Sequence, residues 1–530
     1  MTLHRRLFLK QLGFGAAGLG LVSSWSGCTT SNESATRSLP RSTPEEQGVS
    51  SAGIIAFLDA IEKSQHEFHS FMVVRNGHVV AEGWWPPYRA TSNHMLYSLS
   101  KTFTSTAVGF AVSEGKFTVN DNVTSFFPND LPGDVSEHLA GLQVKHLLSM
   151  AVGHASDSTP IIVKEQNWVK AFLALPIPKP PGTAFLYNSG ATYMLSAIVQ
   201  KVSGQKVIDF LRPRLFEPLD IEGMTWETCP LGINTGGWGL SVRTENLAKF
   251  GQFYLQKGVW YGRQILPAAW IEEATTFKIQ QSPPEGKTLE EAKLTSDWLQ
   301  GYCYQIWRCR HNAFRGDGAF GQFCIVMPDK SAVVAITSET PNMQGELDLV
   351  WEHLLPAMQD GPLAADGAVQ DRLRQKIAAL ALPLPEGKPD SPLAGKISGK
   401  TFKIEPNSGG AQSVSLRFQD DACSFTLSDD KGEYPIKCGL GKWAEGITNM
   451  PGMPPKITVG DLRPLKVAAS GAWRDENTFA MSWRFYETPH SENVTCRFDG
   501  DKAKFEFLGS ITRISSAHPT ANLVLDGVAV

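Results

Sequence analysis

The chain is predicted to be an α+β protein whose antiparallel sheet draws strands from both ends of one large body, with a helical lobe between them and an all-β domain behind. Three observations carry that prediction. Hairpin patterns lie early, at Phe71–Ala81, and late, at Phe323–Thr337. Between them, from Thr91 to about Leu255, the pattern is mostly helix and loop, as when a lobe is inserted into a sheet-based unit. Beyond residue 393 the apolar period changes to two, the mark of strands. A length of 530 residues exceeds one ordinary core and fits about two or three domains.

The N-terminus reads as an address. Arg5-Arg6-Leu7-Phe8-Leu9-Lys10 matches a twin-arginine export signal. Gly13 to Ser24 supplies a weakly apolar segment, and Ser26-Gly27-Cys28 resembles a lipoprotein cleavage box, with Trp25 where leucine is usual. Residues 1–27 are therefore expected to be a signal and Cys28 the lipid attachment site. The alternative is a cut nearby with Cys28 incidental. The expectation is an exported protein of the periplasm or cell surface, held to the membrane only by that lipid. No internal stretch is long and apolar enough to span a bilayer.

Residues 28–46 are polar and proline-bearing, a tether to a body over 47–360. Ser51 caps a helical pattern that places Ile54, Ile55, Leu58 and Ile61 on one face. Asn76-Gly77 between Phe71–Val74 and Val79–Ala81 suits a type I′ hairpin turn. Phe323–Met327 and Ala332–Thr337 flank the turn Pro328-Asp329-Lys330, and helical patterns around Leu347–Leu355 close the body. Residues 361–392, a short helical stretch running into Pro383, Pro385, Pro389 and Pro392, form a linker. In 393–530, Val414, Leu416 and Phe418 alternate with polar residues, as do Cys423, Phe425 and Leu427, and Phe479, Met481, Trp483 and Phe485. That domain is a sandwich or a barrel.

Composition narrows the function classes. A net charge of −4 gives no reason to expect a nucleic-acid partner. Cys28 aside, seven cysteines remain, an odd number without zinc-site spacing, and they read as buried small hydrophobes. The histidines are scattered, and no phosphate-binding glycine loop follows a strand. No metal or organic cofactor is expected.

Tyr97-Ser98-Leu99-Ser100-Lys101 places a serine three residues before a lysine at the start of an apolar segment. Positions i and i+3 share a helix face, so the amine can reach the hydroxyl and supply the base that a serine nucleophile needs. The same spacing recurs at Ser113–Lys116, Ser203–Lys206 and Ser428–Lys431, near helix ends or in a polar turn. Ser98 differs because the run Phe103–Val112 behind it is nearly free of charge, as in a helix buried on all sides. Ser98 is the candidate nucleophile.

Together with Tyr187-Asn188-Ser189-Gly190 and Gly316-Asp317-Gly318-Ala319-Phe320-Gly321-Gln322, this motif resembles the serine β-lactamase and penicillin-binding-protein-like superfamily. The match is to its class C β-lactamase-related esterase branch. His146–Met150, Leu215–Leu219 and Gly236–Leu240 support the likeness, which covers about Thr43 to Met358. The resemblance implies a β-lactamase-like sheet flanked by helices, with Ser98, Lys101 and Tyr187 catalytic. It also implies an oxyanion hole from the Ser98 and Ala319 N–H groups, and a substrate side lined by Ser189, Asp317 and Gly318. A phenolate at Tyr187, favoured beside an ammonium, is expected to share the Ser98 proton with Lys101.

Two positions depart from the family pattern. Ser189 stands where asparagine is usual, and Gly316-Asp317 replace a lysine or histidine followed by serine or threonine, the pair that holds a substrate carboxylate. Asp317 would repel a carboxylate unless Arg315 neutralises it. The expected function is a serine hydrolase acting on a small ester or amide through a Ser98 acyl-enzyme. A β-lactamase or D-alanyl-peptidase-like enzyme and an inactive surface-binding scaffold are the alternatives, and the oligomeric state is open.

Overall fold

Early and late chain segments meet in one six-stranded antiparallel sheet. Its order is His78–Trp84, Glu67–Arg75, Ala332–Glu339, Gln322–Met327, Phe314–Gly318 and Trp307–Arg308. The computed structural model describes residues 38–452, 464–514 and 522–530. The twin-arginine segment and Cys28 lie outside them. Asn76 (φ 50°) and Gly77 (φ 78°) make the first hairpin turn left-handed, as a type I′ turn requires.

Side chains alternate across the central strands and feed two cores. Met72, Val74, Val333 and Ala335 face the helical lobe, whereas Phe71, Val73, Val334 and Ile336 face the N-terminal helix Ser51–Lys63. Both faces are covered, so the strand Glu67–Arg75 is buried almost throughout, and its stretch Phe71–Val74 is a continuous apolar run instead of alternating with polar residues. The N-cap position of helix Ser51–Lys63 is Ser50, one residue earlier than expected, and the Ser51 N–H is taken up by Glu45 Oε1 (2.8 Å). In the lobe, helix Ser100–Ser113 packs on helix Ser189–Ser203. A three-stranded sheet of His94–Met95, Leu240–Val242 and Thr225–Trp226 also lies here. Its two- and three-residue strands are too short to show a period.

The body starts before the boundary expected at residue 47. Leu39 is buried, and Arg41 pairs with Glu82 (2.9 Å) and Glu245 (2.7 Å), so residues 38–46 lie on the sheet and do not form a tether. Residues 361–392 are likewise anchored: helix Gly367–Ala378 buries Leu373, and Leu380 and Leu382 join the second core.

The C-terminal strands close into a nine-stranded barrel. Neighbours are antiparallel except for one parallel pair, Glu433–Leu440 with Leu465–Trp473, which seals it. A tenth strand, Ala444–Thr448, pairs outside the closure. Phe425, Trp473, Phe479, Trp483, Phe505 and Phe507 fill the interior. The barrel rests on the body through Tyr486 and Ala468 in the second core, through the buried Arg484 paired with Glu67, and through a Tyr88 hydroxyl donating to the Thr488 carbonyl (3.1 Å). Tyr88 and Trp85 are buried in the same second core. All seven cysteines of the described residues are free and buried.

Candidate active site

Ser98 lies in a single 3-10 turn, Tyr97–Leu99, and the long helix begins only at Ser100. The turn stays tight because Ser100 Oγ donates to the Tyr97 carbonyl (2.7 Å) and accepts from Leu240 N–H (3.1 Å). Lys101 is one turn further on, and its Nζ is 3.0 Å from Ser98 Oγ. The same Nζ is 2.9 Å from Ser189 Oγ and 2.7 Å from the Gly237 carbonyl. Glycine is required at 237, since a Cβ there would stand 2.9 Å from the Ser189 carbonyl oxygen.

Tyr187 precedes Asn188, the N-cap of helix Ser189–Ser203, whose side chain accepts from Gly190 N–H (3.1 Å). That cap aims the tyrosine ring at Lys101, whose Nζ is 4.8 Å from the ring centre. Trp307 stacks on the ring (5.7 Å, 19°) and Tyr302 meets it edge-on. The Tyr187 phenol faces the Ser98 hydroxyl. Ser98, Tyr187, Ser189 and Ala319 are half-buried, whereas Lys101 is 2% exposed. The site thus offers an accessible hydroxyl backed by a dry amine.

Burial drives the titration of these groups. It lowers the Lys101 ammonium from 10.5 to about 7, against the opposing pull of Asp157 and Asp317. Burial also pushes the Tyr187 phenol well above its ordinary value, and the charge of Asp317 adds to the rise. The expected phenolate is therefore disfavoured: burial and the nearby carboxylates outweigh the Ser98 hydrogen bond and the Arg315 charge, leaving a neutral tyrosine beside an amine that sheds its proton near neutrality.

Strand Phe314–Gly318 runs past the serine turn so closely that a Cβ on Gly318 would lie 1.9 Å from the Leu96 carbonyl oxygen. This approach carries Ala319 to the serine's side of the sheet. Gln322 Nε2 anchors the Ala319 carbonyl (3.2 Å) and the Ser338 carbonyl (2.8 Å). Two non-glycine residues here are left-handed, Tyr97 (φ 48°) before Ser98 and Phe320 (φ 69°) after Ala319. Such a conformation costs about 1–2 kcal/mol per residue and persists where the surroundings over-determine it.

Asp317 is 7% exposed and ion-paired with Arg315, whose Nε donates to Oδ2 (3.0 Å) and whose Nη2 is 2.9 Å from the same oxygen. Arg315 is fully buried, stacks over Trp298 (4.4 Å) and donates to the Asp297 carbonyl (2.9 Å). The neutralisation considered from the sequence is thus present, and Arg315 is not left free to receive a substrate carboxylate. Burial still raises the Asp317 carboxyl, more than Arg315 lowers it.

Ser98, Lys101, Tyr187 and Ser189 come together directly, with Gly318 at the end of the adjoining strand and Ala319 in the turn after it. Ser189, assigned by resemblance to the substrate side, has its hydroxyl on Lys101. Three participants were given no role from the sequence: the Gly237 carbonyl, although Gly236–Leu240 supported the likeness, Trp307, and Asp157, whose Oδ1 accepts from Ser189 N–H (3.1 Å). His154 is buried against Asn188 (3.0 Å). Among the described residues no three His, Cys, Asp or Glu side chains cluster as metal ligands would.

Residues 59–357 match the family model described as Beta-lactamase. The 6-aminohexanoate-dimer hydrolase of Paenarthrobacter ureafaciens is 24% identical over 323 residues, 57% of this chain and 80% of that protein. The β-lactamase of Escherichia coli K12 is 28% identical over 143 residues, 26% of this chain and 35% of that protein. A solved structure, the octameric penicillin-binding protein homologue from Pyrococcus abyssi, is 15% identical with a TM-score of 0.45, covering 90% of this chain and 99% of that one. With the family model spanning more than half of the chain, the protein belongs to the β-lactamase family of serine hydrolases.

Proposed function

We propose that the protein cleaves an ester or amide through an acyl-enzyme on Ser98. The observation that carries this reading is the 3.0 Å approach of Lys101 Nζ to Ser98 Oγ, with that amine buried and lowered to about 7. A neutral amine has two N–H bonds and one lone pair. The Gly237 carbonyl can only accept, and Ser189 Oγ accepts the second N–H, so the lone pair is left for the Ser98 proton. Ser98 Oγ then attacks the carbonyl carbon, and the Ser98 and Ala319 N–H groups receive the developing oxyanion. As the tetrahedral species collapses, the Tyr187 phenol protonates the departing alcohol or amine and regains a proton from Lys101. Water repeats the sequence on the acyl-enzyme and releases the acid.

An uncharged or cationic substrate is favoured because the cation at the position where the family pattern holds a carboxylate, Arg315, is buried and engaged by Asp317. The name of the relative from P. ureafaciens supports a linear amide as one substrate class. Export and a lipid on Cys28 belong to the proposal on the strength of residues 5–10 and 26–28 alone. The test is a panel of p-nitrophenyl esters, linear amides and nitrocefin. Ester or amide turnover that disappears in Ser98→Ala supports the reading. Nitrocefin turnover with inert esters and amides would establish the lactamase alternative, and silence toward every substrate would favour the scaffold.

A further inference from the structure

We propose that His490, a barrel residue, is a positioning residue for acyl transfer: it clamps Tyr97 and Phe320, the two residues that flank the oxyanion donors. This inference rests on Ser98 being the nucleophile.

Tyr97 precedes Ser98, and its phenol oxygen is 2.5 Å from His490 Nε2. His490 Nδ1 is 2.8 Å from Glu339 Oε1, which also accepts from Ser510 Oγ at 2.5 Å. Glu339 ends the central strand Ala332–Glu339. Its carboxylate can only accept, which puts an imidazole hydrogen on Nδ1; in the neutral ring Nε2 then accepts from the Tyr97 O–H. All four side chains are buried, His490 completely. The chain Tyr97, His490, Glu339 therefore has one consistent direction of donation and ties the serine turn to the sheet through the barrel.

The other donor is held by the same group. Phe320 follows Ala319 and meets Tyr97 edge-on (5.4 Å, 66°) and His490 edge-on (5.0 Å, 85°). Ile511, also from the barrel domain, completes a small core with Met95, Tyr97 and Phe320, and Ala319 packs against it. Met95 N–H donates to the barrel carbonyl of Glu487 (2.9 Å). Both left-handed residues thus share one partner. The spacing of two N–H groups around an oxyanion is the kind of geometry that a shift of about 1 Å degrades by roughly a hundredfold. On this account the barrel holds the catalytic turn in place in addition to any role of its own.

The experiment uses the full chain as His490→Ala, His490→Gln, His490→Asn, Tyr97→Phe and the double variant Tyr97→Phe/His490→Ala. The readouts are the rate constant of fluorophosphonate labelling, and kcat and KM on a p-nitrophenyl ester. His490→Ala and Tyr97→Phe should each slow labelling and kcat about tenfold to a hundredfold with KM nearly unchanged. The double variant should be no slower than the slower single one, because both changes cut the same link. His490→Gln, whose carbonyl can reach Tyr97, should recover most of the rate; His490→Asn, long enough only for Glu339, should not. If His490→Ala does not fold, the Gln and Asn pair decides. Labelling within about twofold of the unaltered protein in Tyr97→Phe, or losses that multiply in the double variant, would overturn the clamp. Label retained by Ser98→Ala would instead show that the nucleophile itself is misassigned.

Discussion

The depressed lysine makes a quantitative demand on the pH dependence of acylation. Burial outweighs Asp157 and Asp317 and brings Lys101 from 10.5 to about 7. Only the neutral amine can take the serine proton. With a midpoint near 7, the reactive fraction is roughly 10% at pH 6, 50% at pH 7 and 90% at pH 8. The acylation rate should therefore rise about tenfold between pH 6 and pH 8 and then level off. A lysine left at its ordinary value would give a rise of about a hundredfold over that interval and no plateau below pH 10. The assay is the single-turnover rate with an ester whose own hydrolysis is subtracted at each pH. Asp157→Asn supplies the sign check. It removes an anion that favours the ammonium while an oxygen remains to accept the Ser189 N–H, so the midpoint should move to lower pH. A slope of tenfold per pH unit persisting past pH 9, or an Asp157→Asn midpoint moved upward, would refute the assignment of Lys101 as the base.

Further consequences follow from the same geometry. Tyr187→Phe keeps the ring on Trp307 but removes the proton donor, and turnover should fall roughly 10²–10⁴-fold with the thermal midpoint unchanged; unaltered turnover would remove the phenol from the mechanism. Gly318→Ala puts a carbon 1.9 Å from the Leu96 carbonyl oxygen, so it should destabilise the fold by about 1–3 kcal/mol and abolish acylation, read by denaturant titration and labelling together. Arg484→Met strands Glu67 at the junction of barrel and body, and unfolding should be easier by about 3–5 kcal/mol; a midpoint equal to that of the unaltered protein would show the pair to be dispensable.

The parts of this protein legible in its sequence are those with a local pattern. Asn76-Gly77 between alternating residues marks a hairpin, and the strands of the barrel domain alternate visibly. Whether those strands form a sandwich or a barrel is decided by one parallel pairing, Glu433–Leu440 with Leu465–Trp473, between strands more than twenty residues apart in the chain with a tenth strand between them. Such a pairing has no signature of its own. In the site, Ser98, Lys101, Tyr187 and Ala319 were accessible because three motifs could be matched in order. Asp157 was not, since Asp157-Ser158-Thr159-Pro160 reads equally well as an ordinary helix start. Trp307 and His490 come from a two-residue strand and an inter-strand loop, and only the fold shows what they touch. The phenolate expectation failed for an instructive reason. Sequence shows which charges are neighbours but not how dry they are, and at Tyr187 desolvation decides.

Fluorophosphonate labelling followed by peptide mass spectrometry tests the central claim most directly. The account predicts one adduct per chain, located on Ser98, formed faster as the pH rises through about 7, and absent from Ser98→Ala. An adduct on another residue, or an unmodified Ser98 in folded protein that still hydrolyses esters, would contradict it.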